Sequence, residues 1–369
     1  MRADGAAEFA GQTIYYARTV APTRVTMARL ASRLDVSVST VSNAYNRPEK
    51  LSAELRERVL GLAAELGYAG PDPAARSLRR RRTGGIGVVF TDELPFVFTD
   101  PASAGFLAGV AETLAVSGQH LVLLPAGSPD HRRPAPVDSA AVDGVIFHSL
   151  PRGEATLALL RRRGAPAVLV DQPPDAEGLS WVGLDEEDAM RGIGELLAAR
   201  GHEHVGCISS RLGTSPRNAR ANPGRVAGSR FTIPRDRVRG LERGLGRPVV
   251  VEERWHVTAA AGADAAAALL RHDPRITAIA CVADSYALGV LAWAKAHHIQ
   301  VPRHLAVTGF DDVPAAAGAG LTTVRQPFAE KGRTAATALN DAIDAGAPPR
   351  RFVLPTALVE RASTGRTRR

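Results

Sequence analysis

The sequence predicts an α/β protein in two parts, a small helical domain at the N-terminal end and a larger domain built on parallel sheets. At 369 residues the chain is too long for one ordinary domain. Apolar residues recur at helical spacing between residues 25 and 66. From Thr83 onward, short apolar strands alternate with helices, which is typical of parallel sheets covered on both faces.

Residues 1–22 precede the helical part and show no clear period. We interpret them as a disordered extension, or as an artefact of an early start codon, and assign them no function.

Two short helices are predicted on either side of a tight turn. The buried stripe of the first consists of Met27, Leu30, Ala31 and Leu34. Asp35 interrupts this pattern, and the Ser37 hydroxyl can cap a second helix. The inward residues of that helix are Val41, Ala44 and Tyr45, and the outward ones are Val38, Ser39, Ser42 and Asn43. The arrangement indicates a helix-turn-helix, with an ordinary pair of bundle helices as the alternative.

A third amphipathic helix is predicted over residues 53–66, and Gly67 ends it. In residues 71–82, which are rich in Ala, the single large apolar residue Leu78 stands beside five arginines. So short a peptide is marginal as an isolated helix because helix nucleation is unfavourable. We therefore expect this segment to fold only when it packs against a partner.

Positive charge is concentrated at the N-terminal end. Residues 1–84 hold 14 Lys and Arg against 8 Asp and Glu, in a chain whose net charge is +8. Such a balance beside a helix-turn-helix is expected for contact with phosphates. An arginine-rich coding bias would give the same count, so charge supports DNA binding without establishing it.

The composition indicates a cytoplasmic protein with no membrane partner. Hydrophobic residues make up 45% of the chain, enough for cores, but no apolar run reaches the length of a membrane span. No signal peptide is recognisable at the N-terminus. Cys207 and Cys281 each lie in an apolar run, so we expect buried thiols rather than a disulfide or a metal pair.

The helical part resembles the lactose-repressor (LacI/GalR) family of bacterial transcription regulators. The matching stretches are Val25-Thr-Met-Ala-Arg-Leu-Ala31, Val36-Ser-Val-Ser-Thr-Val-Ser-Asn43, Asn46-Arg-Pro48, Gly67-Tyr68 and Pro73-Ala-Ala-Arg-Ser-Leu78. Several short motifs in the right order and at the right spacings make the resemblance specific. It extends from Thr23 to about Gly365.

The resemblance implies three domains. A helix-turn-helix DNA-binding domain covers residues 23–70, a hinge helix 71–83, and an effector-binding and dimerisation domain 84–365. The last has the two-lobed, periplasmic-binding-protein-like fold of the family. We place the first lobe at about 84–203 and 303–326, and the second at about 204–302 and 327–365.

The resemblance also implies DNA contacts. Val38, Ser39 and Asn43 lie over the major groove, where Asn can pair with adenine and Val can contact a thymine methyl. The residues better suited to phosphate contacts are Ser37, Thr40, Ser42 and Asn46. The family uses the residue matching Leu78 as a wedge in the minor groove, and a plain linker residue is the alternative.

Effector contacts are sought at strand ends, because ligands bind beyond the carboxyl ends of parallel strands. Asp284 ends a strand and opens a helix. In the family the matching acid holds ligand hydroxyls, and helix capping is its alternative role. Arg237 aligns with the family's effector-anchoring arginine.

Four more residues are candidates for the same site. Asp171 and His148 end strands of the first lobe, and Asp92 follows the first strand. Trp255 is suited either to stacking on a sugar-like ring or to packing between the lobes.

Residues 211–235, just before Arg237, are rich in Arg, Gly, Pro and Ser. We predict a mobile, solvated loop at the mouth of the cleft. Its arginines, candidates for an anionic effector, are Arg211, Arg217, Arg220, Arg225 and Arg230.

No motif predicts catalysis, a metal or a cofactor, since phosphate loops, nucleophile elbows and Cys/His clusters are missing from the sequence. We expect a homodimeric transcription regulator, a repressor, that binds double-stranded operator DNA under the control of a small carbohydrate-like effector. One alternative is a solute-binding protein, which would need an export signal. The other is a sugar-processing enzyme, which would need paired acids in the cleft.

Overall fold

The computed structural model describes residues 25–70, 82–126, 139–153, 164–175 and 178–366, together with the backbone of residues 6–9 and 12–15. The chain divides at residue 82 into an N-terminal unit and a C-terminal unit. Residues 71–81 of the predicted hinge, with Leu78, lie outside the described residues.

The N-terminal unit begins with two short strands, β1 (Ala6–Phe9) and β2 (Gln12–Tyr15), which pair antiparallel. This pair departs from the expected disordered tail. Strands of four residues are too short to give a readable period. The assignment of residues 1–22 as an extension without function stays a prediction.

Three helices follow, and they confirm the predicted helix-turn-helix. They are α1 (Met27–Leu34), α2 (Val38–Asn46) and α3 (Ala53–Glu65), with a 3-10 turn at Pro48–Lys50. Asp35 ends α1 in the left-handed conformation, at φ 54°, and this produces the tight turn before α2. The buried core between the helices consists of Leu30, Ala31, Val41, Ala44, Val59 and Ala63.

The first lobe of the C-terminal unit contains a parallel sheet of six strands, in the order β14-β7-β6-β5-β3-β4. Its strands are β3 (Gly85–Phe90), β4 (His120–Pro125), β5 (Gly144–His148), β6 (Ala167–Val170), β7 (Ser180–Leu184) and β14 (Arg351–Leu354). Its described helices are α4 (Leu94–Thr99), α5 (Pro101–Ser117) and α12 (Phe328–Ala345). Gly109 lets α5 and α12 touch, because a Cβ there would lie 1.9 Å from the carbonyl oxygen of Ala329.

The second lobe contains a sheet of five strands in the order β12-β11-β8-β10-β9, parallel except for β9. Its strands are β8 (Val205–Ser209), β9 (Ala219–Ala221), β10 (Val250–Glu253), β11 (Ala278–Cys281) and β12 (Ala306–Thr308). Its helices are α6 (Glu186–Ala199), α7 (Pro223–Ala227), α8 (Thr232–Leu245), α9 (Ala259–His272), α10 (Asp284–Ala296) and α11 (Pro314–Gly318). Cys207 and Cys281 are buried free thiols here, as predicted.

The predicted lobe boundaries do not match the observed crossings between the lobes. We had placed residues up to 203 and 303–326 in the first lobe, but α6 packs against α8 and β12 pairs with β11, both in the second. Conversely, α12 and β14 belong to the first lobe, because α12 packs on α5 and β14 pairs with β7. Strand partners fix lobe membership, and a sequence pattern does not reveal them.

A small antiparallel pair of strands, β13 (Thr323–Arg325) and β15 (Ala357–Val359), accompanies the two later crossings between the lobes. The last described residues then return to the second lobe, where the Val307 amide donates to the Ser363 carbonyl oxygen at 2.9 Å.

The contact between α6 and α8 can be tested with one methyl group. In Gly240→Ala the new Cβ would lie 2.1 Å from the carbonyl oxygen of Glu187. We expect the free energy of unfolding to fall by about 1–3 kcal/mol, because the helices must separate. Urea unfolding followed by circular dichroism measures this change.

Gly192→Ala in α6 is the control, because nothing lies within 4 Å of its new Cβ. It should leave stability unchanged or raise it by up to about 1 kcal/mol through helix propensity. Equal destabilisation by the two substitutions would contradict the close helix packing.

Candidate functional site

The start of α2 presents a cluster of hydroxyl groups. Ser37 caps the helix, and its Oγ accepts from the Thr40 amide at 3.0 Å. The same Oγ lies 2.6 Å from Ser39 Oγ and 2.8 Å from Thr40 Oγ1. Val38 beside them is 45% exposed.

The rest of the predicted DNA contacts follow along the same helix. Ser42 and Asn43 are partly exposed, and Asn46 is exposed with its Nδ2 donating to the Ser42 carbonyl oxygen at 3.0 Å. Seven of the eight predicted DNA contacts thus lie on α2 or at its cap, while the eighth, Leu78, is outside the described residues.

Tyr45 belongs to the core of this unit, as expected. Its ring meets Tyr68 edge to face at 6.0 Å between centroids, and burial raises the pKa of Tyr45.

A cavity of about 160 Å³ lies between the two lobes of the C-terminal unit. Four of the six predicted effector residues line it, two from each lobe: Asp92, His148, Arg237 and Trp255. We call this the effector cavity. The rest of its wall combines aromatic side chains, including Phe96 and Phe231, with further polar ones, including Asp100 and Gln326.

One ion pair crosses the effector cavity. The Arg211 guanidinium, just after β8, donates to Asp92 Oδ2 at 3.0 Å and to Thr91 Oγ1 at 3.2 Å in the first lobe. The same guanidinium lies over the rings of Phe231 and Trp255, 4.9 and 5.6 Å from their centroids. The pair therefore joins the lobes at the aromatic part of the cavity.

Arg237 is a buried cation held in a fixed orientation. Its Nε donates to Glu186 Oε2 at 2.7 Å, its Nη1 donates to the Val282 carbonyl oxygen at 2.6 Å, and its guanidinium lies 3.5 Å from the centroid of Phe310. An arginine carries five N–H donors, so others remain for a ligand.

His148 is held between the rings of Phe90 and Phe106, with centroids 4.9 and 4.8 Å away. Burial lowers its pKa, so the ring is neutral near pH 7. Its Nε2 lies 3.4 Å from Asp171 Oδ2, whereas its buried Nδ1 has no partner among the described residues. With the proton on Nε2, Nδ1 is an acceptor without a donor.

Asp171 does not line the effector cavity and belongs to a buried polar chain. It accepts from Lys331 Nζ at 2.5 Å, Lys331 donates also to Gln326 Oε1 at 2.8 Å, and Gln326 Nε2 donates to Asp311 Oδ1 at 2.6 Å. Burial alone would raise the pKa of Asp171, but the Lys331 ammonium outweighs it and holds that pKa below its usual range. The chain links the first lobe to the second through the crossing segment.

The acid predicted from the resemblance, Asp284, is not at the cavity. It is fully buried, with Oδ1 accepting from Thr323 Oγ1 at 2.6 Å and Oδ2 from the Val313 amide at 2.9 Å. Oδ1 thus holds β13 and Oδ2 holds the start of α11, so the role expected for it is corrected to a structural one.

Asp311 is the acid that the sequence analysis missed. It lines the effector cavity, and burial raises its pKa well above the usual value. It stands in Gly309-Phe-Asp-Asp312 directly after β12, and an acid directly after an apolar strand was the signal to follow.

The stretch 211–235 is not the solvated loop that we predicted. Fully buried Glu253 organises it, since Oε1 accepts from the Leu212 amide at 2.8 Å and from Arg225 Nη2 at 2.7 Å. The Arg230 Nε in turn donates to the Arg152 carbonyl oxygen of the first lobe at 2.9 Å. Glu253 lies too far along the chain for a local pattern to reveal this anchor.

Among the described residues, no three His, Cys, Asp or Glu side chains come together to hold a metal ion. No helix within those residues is long and apolar enough to cross a membrane.

Comparisons with known proteins agree with this architecture. Residues 26–70 match the family described as bacterial regulatory proteins, lacI family, and residues 195–364 match the periplasmic binding protein-like domain. An HTH-type transcriptional regulator of Mycolicibacterium smegmatis is 42% identical over 342 residues, which are 89% of this chain and 93% of that protein.

Two solved structures are similar over nearly the whole chain. A LacI-family transcriptional regulator of Corynebacterium glutamicum has 34% identity and a TM-score of 0.69, covering 93% of this chain and 98% of that one. A complex of the regulator CelR with cellobiose has 27% identity and a TM-score of 0.66, covering 92% and 100%.

The structural role of Asp284 predicts a pH dependence. Burial raises its pKa from 3.8 to about 6, so the carboxyl is still protonated in the folded chain at a pH where the unfolded chain has ionised. This contribution favours folding below about pH 4 and is lost as pH rises to about 6.

Asp284→Asn removes that titration. Relative to the wild type, its free energy of unfolding should rise by about 2–3 kcal/mol between pH 4 and pH 7. Urea unfolding of both proteins at a series of pH values measures the difference between their free energies of unfolding. The contributions of the other titrating groups cancel in that difference. A difference independent of pH would show that Asp284 titrates normally.

Proposed function

This chain belongs to the lacI family of bacterial regulatory proteins and is a DNA-binding transcription regulator controlled by an effector. From that premise we propose how it binds DNA and the effector. We propose that it is a cytoplasmic homodimer, without catalytic activity, that represses genes by binding a two-fold operator. We propose further that a small neutral sugar in the effector cavity controls that binding. The observation that best supports this proposal is that polar groups of both lobes converge at the effector cavity.

The DNA-binding surface is the outward face of α2. Exposed Val38 and Ser39 and partly exposed Asn43 are the residues for base edges, while Val41 and Ala44 are buried on the opposite side. The hydroxyl cluster at Ser37 suits a phosphate, since helix N-terminal amides and their positive dipole end favour anions. Thr40, Ser42 and Asn46 extend this polar margin.

The lining of the effector cavity favours an uncharged polyhydroxylated ring. Three acids, Asp92, Asp100 and Asp311, line it beside two arginines, Arg211 and Arg237, so the lining has no excess of positive charge to attract an anion. Acids accept from hydroxyls and arginines donate to them, while Trp255 offers an aromatic face. The CelR structure holds cellobiose, a ligand of this class.

The effector controls DNA binding through the relation of the lobes. A ligand that hydrogen-bonds to both lobes favours the lobe arrangement in which those groups converge, and it shifts the equilibrium by its difference in affinity between arrangements. We propose that residues 71–83 convert that shift into operator affinity, with Leu78 as the wedge between base pairs. This part rests on the sequence resemblance.

Asn43→Ala should weaken binding to the operator while leaving binding to unrelated DNA unchanged. A bidentate contact to one base contributes about 1–3 kcal/mol of discrimination, so about tenfold or more of the preference should be lost. Fluorescence anisotropy with operator and scrambled duplexes at fixed salt measures both affinities. Loss of affinity for both duplexes alike would assign Asn43 to phosphate contact instead.

Asp311→Asn should weaken effector binding about two- to tenfold, because a hydrogen bond contributes about 0.5–1.5 kcal/mol. A thermal-shift screen of neutral sugars and polyols first identifies the ligand, and calorimetry then measures its Kd. Asp284→Asn is the matched control and should bind as the wild type does. Weakening by Asp284→Asn and not by Asp311→Asn would restore the assignment from the resemblance.

A further inference from the structure

Thr83 and Gly84 connect the predicted hinge to β3 of the first lobe, and a single carboxylate holds both of them. Asp143 Oδ1 accepts from the Thr83 amide at 2.6 Å and from the Thr83 hydroxyl at 2.9 Å. Its Oδ2 accepts from the Gly84 amide at 2.8 Å. Asp143 stands directly before β5, about 60 residues further along the chain, so these contacts are not local. We call these three residues the hinge anchor.

The backbone beside the hinge anchor is fixed from both sides. The His120 amide donates to the Gly84 carbonyl oxygen at 2.9 Å, and the Asp143 amide donates to the Gly85 carbonyl oxygen at 2.8 Å. There is no space for a side chain between them, because a Cβ on Gly85 would lie 2.8 Å from the Ala141 carbonyl oxygen. The chain therefore cannot shift here against the first lobe without breaking several hydrogen bonds.

The hinge anchor lies at the opposite edge of the sheet from the effector cavity. It is at the amino ends of β3 and β5, which are neighbouring parallel strands. At the carboxyl ends of the same strands are Asp92 and His148, which line the cavity. Both strands are buried along nearly their whole length, and packed cores of this kind transmit displacement with little loss. The hinge anchor and the first-lobe wall of the cavity therefore move together.

We propose that Asp143 is a positioning residue for operator binding. Its carboxylate fixes the place and the direction in which the chain leaves the first lobe toward the hinge, so that a movement of the first lobe becomes a movement of the hinge. A carboxylate is required, because asparagine has a single acceptor oxygen and would turn its own N–H groups toward the backbone donors. This inference rests on the proposed function, in which residues 71–83 carry the wedge Leu78.

The hinge anchor also lowers the entropic cost of binding the operator. Residues that are already fixed lose no further conformational freedom when the hinge is ordered on DNA. Without the carboxylate, Thr83 and Gly84 would have to be ordered in the binding step itself. The loss should fall on the operator alone, because contacts of α2 with phosphates on unrelated DNA do not depend on the position of the hinge.

The test uses the full chain, the duplex that the wild-type chain selects from a random pool, and a scrambled duplex of the same length. We expect Asp143→Asn to bind the selected duplex about tenfold more weakly, the scale of the entropy lost when the backbone of one residue is ordered. Its binding to the scrambled duplex should not change. Fluorescence anisotropy at fixed salt measures both affinities.

Thr83→Val is a milder second variant, because it removes the hydroxyl donor, has nearly the same shape and keeps both backbone hydrogen bonds to Asp143. It should lose about two- to threefold in affinity for the selected duplex alone. If circular dichroism shows that Asp143→Asn does not fold, Thr83→Val decides the question by the same comparison.

Asp273→Asn is the matched control. Asp273 Oδ1 also accepts from a backbone amide and from a side chain, those of Arg275 at 3.0 and 2.8 Å, but it belongs to the second lobe. The control should bind both duplexes as the wild type does. A merely structural Asp143 would show the same result after correction for stability.

A double-mutant cycle shows whether Asp143 acts through the hinge. Combined with Leu78→Ala, Asp143→Asn should cost less than it does alone, because without the wedge there is less to position. The inference is overturned if Asp143→Asn binds the selected duplex like Asp273→Asn, if it weakens both duplexes alike, or if the two losses simply multiply. A wild-type chain that selects no preferred duplex would overturn the proposed function itself, and the inference with it.

Discussion

The pairing of buried and half-buried polar groups across the two lobes is the constraint on which this structure depends. Asp92 and Arg211 meet from opposite lobes, and so do Asp171 and Asp311 through Lys331 and Gln326. A buried charge that loses its partner costs several kcal/mol. The arrangement of the lobes and the pairing of these groups therefore change together. A ligand that replaces a partner from the opposite lobe acts on this equilibrium directly.

This constraint explains why the stretch 211–235, which follows β8 and leads into α8, is ordered. Glu253 is buried at the end of β10 and must be satisfied, and the backbone and arginines of the segment supply its donors. The segment thereby holds Arg211 over Phe231 and Trp255, where it reaches Asp92. The same stretch carries Arg230 to the first lobe. A charge-rich sequence that looked like a solvated loop is part of the wall between the lobes.

The sequence was sufficient for local features and insufficient for distant partners. Caps such as Ser37 and the stripe around Leu30 depend on neighbours a few residues away, and they predicted the helical unit well. The lobe membership of β12 and β14 depends on strand pairing, which the pattern does not encode. Asp284 and Asp311 both follow apolar strands. Only the fold shows that the carboxylate oxygens of Asp284 already accept hydrogen bonds from Thr323 and Val313. The resemblance pointed to Asp284, which is buried and does not line the effector cavity, whereas Asp311 does.

The most direct test is the reciprocity of the two binding equilibria in the full-length protein. Operator affinity is measured with and without the saturating sugar, and sugar affinity with and without the operator, at one salt concentration. The account predicts that both change by the same factor, about 5–150-fold, because one lobe equilibrium is linked to both ligands. The account is contradicted if the operator affinity does not change with the sugar and the sugar affinity does not change with the operator.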